Sequence, residues 1–246
     1  MTAKTPQSFT NEEVQMATDI TFIFPGSPFL INDSIFPPLG ILYLAAKLKA
    51  DGYTVQCLDF GLGHTIDEVS SDIVGISFTT PHRFDAFKIA KELKERGKFL
   101  IAGGAHASHL PNECLENGFD IAVRGEAEAV ISEIVKNVRQ NSFNSIYISP
   151  EMGVNELLFP DRDAIDINKY SYTIGNRQAT VIMTSRSCPF GCLFCSKISN
   201  NFRMQSASRT VAEIFHLHDK YGFSAFMIFD DVFVADKRRL EKIVDL

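Results

Sequence analysis

The sequence predicts an α/β protein: a doubly wound parallel sheet followed by the start of a second βα unit. Five short apolar runs alternate with helical stretches between Ile20 and Gln140. The loops after those runs are built from Gly, Ser, Thr and Pro, and a strand-then-helix rhythm resumes after Ala179. Strands that alternate with helices pair in parallel, because each helix carries the chain back across the sheet.

Ile20-Thr-Phe-Ile-Phe24 is the first strand, followed by a Pro/Gly-rich loop from Pro25 to Pro38. Ile41, Leu44, Ala45 and Leu48 recur at helical spacing and predict a helix over about Leu39–Asp51, stopped by Gly52. Tyr53–Leu58 is the second strand. Ile73–Phe78, apolar on both faces, is the third and most central. A helix over about Arg83–Arg96 should turn Phe84, Phe87 and Leu93 inward. Strand Phe99–Ala102 ends in Gly103-Gly104. A short helix around Leu110–Asn117 leads to strand Asp120–Val123, and Arg124-Gly-Glu-Ala-Glu128 opens the last helix, to about Gln140. Residues 141–178 read as a turn-rich, then extended and acidic connector. Beyond it, Thr180–Thr184 is a buried strand. Thr210–Glu213 has the pattern of a capping box. Val211, Ile214, Phe215, His218 and Tyr221 form a helical stripe ended by Gly222, and Ser224–Phe229 is the next strand.

Composition excludes several classes. The chain of 246 residues is 45% hydrophobic and 22% charged with a net charge of −6, an ordinary globular balance that disfavours a nucleic-acid partner. Residues 1–19 lack the apolar core of a signal peptide, and no apolar run approaches the length of a membrane span. Together with the cysteine usage this points to a cytoplasmic protein with reduced thiols. Cys57 and Cys114 fall in a predicted strand and helix, where packing is their ordinary use.

The chemistry concentrates in two places. Thr184-Ser-Arg-Ser-Cys-Pro-Phe-Gly-Cys-Leu-Phe-Cys-Ser196 holds Cys188, Cys192 and Cys195 in the spacing C-x3-C-x2-C, after the C-terminal end of a strand. Three thiolates can hold three irons of a 4Fe–4S cube and leave the fourth open to a ligand. A partial zinc site lacks its fourth ligand, since His216 and His218 sit on a predicted helix, and a disulfide framework would need an oxidising compartment. The second place is the C-terminal edge of the first sheet, where small polar loops recur: Pro25-Gly26-Ser27, Ser77-Phe-Thr-Thr80, Gly103-Gly-Ala-His106 and Arg124-Gly-Glu126. Ligands of open α/β sheets sit outside these strand ends, and paired glycines admit a flat, bulky ligand close to the backbone. Each loop also has a plain structural use. Gly103-Gly104 can end a strand, His106 and His109 can be solvated loop residues, and Arg124 and Glu126 can cap a helix or pair with each other.

The cysteine loop resembles that of the radical S-adenosylmethionine enzymes, C-x3-C-x-Φ-C, with Phe194 at the aromatic position. Its setting, Thr-Ser-Arg-Ser-Cys-Pro-Phe-Gly-Cys, is similar to the subfamily with an N-terminal cobalamin-binding domain, except that Ser187 stands where glycine is usual. The resemblance implies residues 1–140 as a Rossmann-like cobalamin-binding domain, 141–178 as a linker and 179–246 as the start of a partial, TIM-like βα barrel. It implies cluster ligation by Cys188, Cys192 and Cys195, with Phe194 near the adenine of S-adenosylmethionine. Arg203 and one of the pair Asp230-Asp231, with Asp231 preferred, would contact the methionine moiety; an interdomain salt bridge is the other reading of Arg203. Ser77, Thr79, Gly103 and Gly104 fall where the family contacts the corrin and its nucleotide tail, and His106, Arg124 and Glu126 lie on the same loops. No Asp-x-His-x-x-Gly follows the first strand, so no histidine lower ligand is expected.

The implied activity is reductive cleavage of S-adenosylmethionine to a 5′-deoxyadenosyl radical. It serves methyl transfer to an unactivated centre of a small-molecule substrate, with an electron donor such as flavodoxin or ferredoxin. Some relatives rearrange or cyclise instead. Two other readings stand: a radical enzyme whose first domain only docks, without cobalamin, and a non-catalytic cobalamin-binding or scaffold protein. A full eight-unit barrel takes roughly 250 residues, far more than Ala179–Leu246 supplies, so the chain is expected to be a piece of a longer enzyme and to lack turnover alone.

Overall fold

The computed structural model describes residues 18–27 and 31–246. Most of the polar N-terminal stretch and residues 28–30 of the Pro25–Pro38 loop lie outside the described residues. A six-stranded parallel sheet organises the first unit: β1 (Ile20–Phe24), β2 (Val55–Asp59), β3 (Ile73–Ser77), β4 (Phe99–Gly103), β5 (Ile121–Arg124) and β6 (Ile146–Ile148), in the order β2-β1-β3-β4-β5-β6. The chain leaves β1 in one direction to form β2 and returns to its other side as β3, so the strand order reverses between β1 and β3.

Side-chain alternation along each strand splits the core in two. Ile20, Phe22, Ile73, Ile101 and Val123 pack with Ile41, Leu42, Leu48 and Ile134 from α1 (Leu39–Ala50) and α5 (Ile131–Arg139). Ile23, Val74, Ile76, Leu100 and Ala102 pack against α2 (Arg83–Glu95) and α4 (Pro111–Glu116). Both faces of β3 are buried, as its uninterrupted apolar run requires.

Several expectations are corrected. A sixth strand, β6, lies in the segment read as a connector; it is three residues long and follows a turn-rich stretch, so no periodicity marks it. Phe84 does not turn inward: it is 67% exposed, with the Arg83 guanidinium over its ring, while Ala86, Ala90 and Leu93 make the buried face. A short helix, α3 (Gly104–His109), starts directly after β4, where a loop was expected. The Arg124–Glu128 stretch stays a loop with a 3-10 turn at Ala127–Ala129, and α5 begins only at Ile131.

The second unit opens with β7 (Thr173–Ile174) antiparallel to β8 (Arg177–Ile182), which pairs in parallel with β11 (Ala225–Ile228) after the crossover helix α6 (Ala207–Tyr221). Between β8 and α6, β9 (Ser185–Arg186) and β10 (Arg203–Met204) form an antiparallel ribbon that is the stem of the cysteine loop. A last helix, α7 (Lys237–Asp245), is capped by Asp236. The start of α6 also departs from expectation. Ser206 is its N-cap, accepting from Arg209 N at 3.2 Å, and Thr210 and Glu213 are buried inside the helix. The inward stripe is therefore Ala207, Thr210, Glu213 and Leu217, and Phe215 is 54% exposed. Polar residues take the inner face because each meets a partner or a counter-charge: Thr210 Oγ1 donates to Ser206 O at 3.2 Å, and Glu213 faces arginines.

The connector is packed, not loose. Arg162 is 1% exposed; it donates through Nη1 to Thr180 Oγ1 at 2.9 Å and through Nη2 to Val181 O at 2.5 Å. Tyr170 donates to Asp59 Oδ2 at 2.5 Å, and Val154 and Leu157 join Leu39, Tyr43 and Val181 in a core shared by both units. Burial pushes the Glu213 carboxyl up, and the Arg162 and Arg209 charges, with a smaller contribution from Gln205, pull it back down. Removing Arg162 strands that carboxyl. Arg162→Met should lower the unfolding free energy by about 3 kcal/mol, read from urea denaturation, and should cost little when paired with Glu213→Gln.

Candidate functional site

A slot of about 180 Å³ opens at the C-terminal edge of the first sheet, on the face covered by α1 and α5. Phe22, Gly75, Ile101 and Val123 form its apolar floor, and Ser77, Gly103 and Gly104 its lip. The slot exists because side chains are missing. A Cβ on Gly75 would sit 2.7 Å from the Phe22 ring, and one on Gly104, at φ +88°, would sit 2.6 Å from Phe78 O. Gly103 differs: a Cβ there meets nothing within 4 Å, so it borders open space.

The cysteine loop closes the opposite side. Arg186 from β9 and Ile198, three residues after Cys195, line the same slot, together with Glu126, Ala127 and Glu128 after β5. Glu128 Oε1 accepts from Arg186 Nη2 at 3.0 Å, with the side chains 6% and 15% exposed. Glu126 Oε2 accepts from Arg203 Nη1 at 3.1 Å, and Arg203 also donates to Met152 O at 2.6 Å. Beyond this pair lies a more polar cleft of about 680 Å³ between Arg124, Ser149, Glu151 and the loop residues Lys197–Asn201.

Within the loop, Cys188 is half-buried and Cys192 and Cys195 are exposed. Cys195 N donates to Cys192 O at 3.1 Å, and Lys197 Nζ donates to Cys188 O at 3.0 Å and Phe190 O at 2.8 Å. Among the described residues no three Cys, His, Asp or Glu side chains converge on a metal-sized point, so the thiols share one loop without being gathered. The donor chemistry fits a three-thiolate cluster, and gathering the thiols would be coupled to binding it. Phe194 is 93% exposed and Leu193 stands fully in solvent.

The other sequence-selected residues divide by position. Ser77, Gly103, Gly104 and Glu126 line the slot, and Arg124 lines the polar cleft, its Nε donating to Ser108 O at 3.1 Å. Thr79 is exposed and shares a 2.7 Å hydrogen bond with His82 Nδ1 outside the slot. His106 is no solvated loop residue. It is fully buried on α3 against Phe78 and Phe87, with Nδ1 3.1 Å from Thr80 Oγ1 and Nε2 3.4 Å from Glu113; burial pushes its pKa down. That places it on the opposite side of the sheet from the slot. His109 is exposed and meets Ser196 Oγ at 3.0 Å. Of the acidic pair, Asp230 is committed to structure, accepting from Thr184 N and Oγ1 at 2.6 Å each and from Ser185 N at 3.0 Å; Asp231 is the exposed one. Arg186 and Glu128 were not singled out. Their signal was an arginine two residues before the first cysteine and a second carboxylate two residues after Glu126.

Comparison with known proteins agrees with this layout. Residues 33–135 match the B12 binding domain family. The chain is 30% identical over 82% of its length to an uncharacterized methyltransferase, PH0819, of Pyrococcus horikoshii, covering 50% of that protein. It is 28% identical over 80% of its length to the anaerobic magnesium-protoporphyrin IX monomethyl ester cyclase of Rubrivivax gelatinosus, covering 41% of it. It is also 29% identical over 71% of its length to the bacteriochlorophyllide d C-8(2)-methyltransferase of Chlorobaculum tepidum. The chain thus spans half or less of the length of these relatives. Its fold is that of the cobalamin-dependent S-adenosylmethionine radical enzyme OxsB, with TM-score 0.73 and 17% identity over 93% of this chain and 37% of that one. The radical S-adenosylmethionine methyltransferase TsrM from Kitasatospora setae superposes at TM-score 0.67 with 13% identity, over 93% of this chain and 50% of that one. Residues 33–135 thus carry the match to the B12 binding domain family, and the fold continues past them into the opening of a second βα unit. In sequence the chain resembles proteins described as methyltransferases and cyclases. Among the described residues no helix is long and apolar enough to cross a membrane.

Ser187 stands at φ +66°, in the left-handed region, with its hydroxyl donating to Ser199 O. That conformation favours glycine at this position, since a Cβ is strained there. Ser187→Val should destabilise the protein by about 1–2 kcal/mol in chemical denaturation, and Ser187→Gly should be neutral or slightly stabilising.

Proposed function

We propose that this chain is the cofactor-binding part of a cobalamin-dependent radical S-adenosylmethionine enzyme that transfers a methyl group to an unactivated centre of a small molecule. In this reading residues 1–140 hold cobalamin, 141–178 connect, and 179–246 open the barrel that carries the cluster. A reducing, cytoplasmic setting suits the free thiols.

One observation carries the reading: Arg186 and Ile198 of the three-cysteine segment line the same slot as Ser77, Gly103 and Gly104 of the B12 binding domain. Two cofactors that must meet would be held on the two walls of one crevice. The slot's flat apolar floor suits the nucleotide tail of cobalamin, with Ser77 and the Gly103-Gly104 backbone at its rim. Cys188, Cys192 and Cys195 would ligate the cluster. When bound, the cluster supplies an electron for S-adenosylmethionine cleavage and cobalamin carries the methyl group. The chain's own contribution is placement and the exclusion of water. Lys197 ties the cysteine turn to its own carbonyls, Asp230 fixes the backbone at Thr184 and Ser185, and Asp231 remains exposed at the end of β11 for the methionine moiety.

Gly103→Leu is the direct test of the slot, because its side chain would enter open space without straining the fold. Wild-type protein incubated with hydroxocobalamin should keep the corrinoid visible spectrum after desalting, and Gly103→Leu should lose it with an unchanged circular dichroism spectrum. After anaerobic reconstitution, Cys192→Ala should hold markedly less iron and sulfide than wild type. Equal iron in both would remove the cluster from this reading, and no retained corrinoid in wild type would remove cobalamin. In the whole enzyme, a methylated product separates methyl transfer from the ring closure that the cyclase relatives suggest.

A further inference from the structure

The stem of the cysteine loop contains an electrostatic conflict. Arg203 on β10 is the direct cross-strand partner of Arg186 on β9. Like charges facing each other across an antiparallel pair push the strands apart. Both guanidinium groups are also largely withdrawn from water, with side chains only 12% and 15% exposed. Left alone, the two charges would weaken this ribbon.

The resolution comes from the other unit. Glu126 and Glu128, two residues apart on the loop after β5, each supply one carboxylate to one arginine. Arg203 Nε also has Glu151 Oε2 at a looser 3.8 Å, but the Glu126 and Glu128 carboxylates are themselves only 11% and 6% exposed, so each would be left buried and unpaired without its arginine. The Arg186 guanidinium also lies 4.7 Å above the Tyr43 ring of α1, and Arg203 reaches Met152 O at 2.6 Å. The ribbon is therefore held shut from the outside, by residues that also form the wall of the slot. Glu126, Ala127, Glu128, Arg186 and Ile198 all face that one cavity.

We infer that Glu126, Glu128, Arg186 and Arg203 are positioning residues that form a double latch: they seat the cysteine loop against the slot, so that filling the slot and ordering the loop favour each other. A ligand in the slot touches Arg186 at the stem and Ile198 within the loop, contacts that exist only while the loop is seated. It therefore binds the seated state more tightly and, by linkage, holds the loop in place. The identity of that ligand as a cobalamin rests on the function proposed above; the latch itself does not.

Cleavage of the intact chain at Lys197 by a lysine-specific protease reads the seating, with the exposed Lys237 as internal reference and fragments identified by mass. Without ligand, Arg186→Glu should be cut faster at Lys197 than wild type, and the swapped pair Arg186→Glu with Glu128→Arg should return towards the wild-type rate. Rescue by exchanging the two charges separates a latch from general damage. If circular dichroism finds the swap unfolded, Arg203→Gln and the half-exposed Ile198→Ser replace it. Hydroxocobalamin should slow cleavage of wild type by about fivefold or more, and both of these variants should lose most of that protection. Corrinoid retained after desalting with no change in cleavage overturns the coupling and leaves the proposed function standing. No retained corrinoid defeats the cobalamin reading and the coupling together, and the latch is then decided by the ligand-free variants. Unchanged cleavage in Arg186→Glu overturns the latch.

Discussion

The placement of the second unit on the first depends on one buried cation. Arg162 leaves the connector and ends inside β8, where Thr180 and Val181 accept its hydrogen bonds and Glu213 of α6 supplies opposite charge. A guanidinium withdrawn from water needs accepted hydrogen bonds and a near counter-charge; both Nη groups of Arg162 are met, while its Nε finds no partner among the described residues. Because those partners come from β8 and α6, the connector, the strand that leads into the cysteine loop and the helix that follows it settle together. The apolar cluster of Leu39, Tyr43, Val154, Leu157 and Val181 then extends the same contact to α1, and Tyr170 with Asp59 extends it to β2. The strand that leads into the three-thiol loop is thus fixed relative to the slot by packing and charge well behind both.

The slot follows from the sheet's topology. Reversal of strand order between β1 and β3 parts the helices above their C-terminal ends, which is where open α/β folds bind ligands. What makes this crevice deep is the absence of side chains at Gly75 and Gly104, where a methyl group would meet the Phe22 ring or a backbone carbonyl. What makes it a joint site is the antiparallel ribbon β9–β10, which brings the cysteine segment back across the first unit at the level of Glu126 and Glu128.

Most strands and the thiol loop were legible because they depend on local pattern. Uninterrupted apolar runs marked β1, β3 and β4, and the spacing of Cys188, Cys192 and Cys195 carried the cluster reading and, through it, the resemblance. The misreadings have physical causes. β6 is too short for a period to register, and it is a strand only because β5 offers it an edge. The inner face of α6 is partly polar, so a search for apolar spacing chose Phe215 over Thr210 and Glu213. His106 was read as a loop residue because Gly103-Gly104 looks like a strand end, whereas Gly104 starts α3 and carries the ring under Phe78 and Phe87. Arg203 had two readings in sequence, and its contact with Glu126 is long-range, between residues that no motif connects.

The cysteines that lie outside the loop have a consequence for chemical selectivity. Cys57 and Cys114 are buried, and burial pushes both thiols up to about 12. At neutral pH they hold essentially no thiolate, the species that alkylating reagents and oxidants attack. Cys192 and Cys195 stand in solvent and Cys188 half in it. Electrophiles will therefore sort the five sulfur atoms by location, which makes the loop a native handle for spectroscopic labels and the first casualty of air.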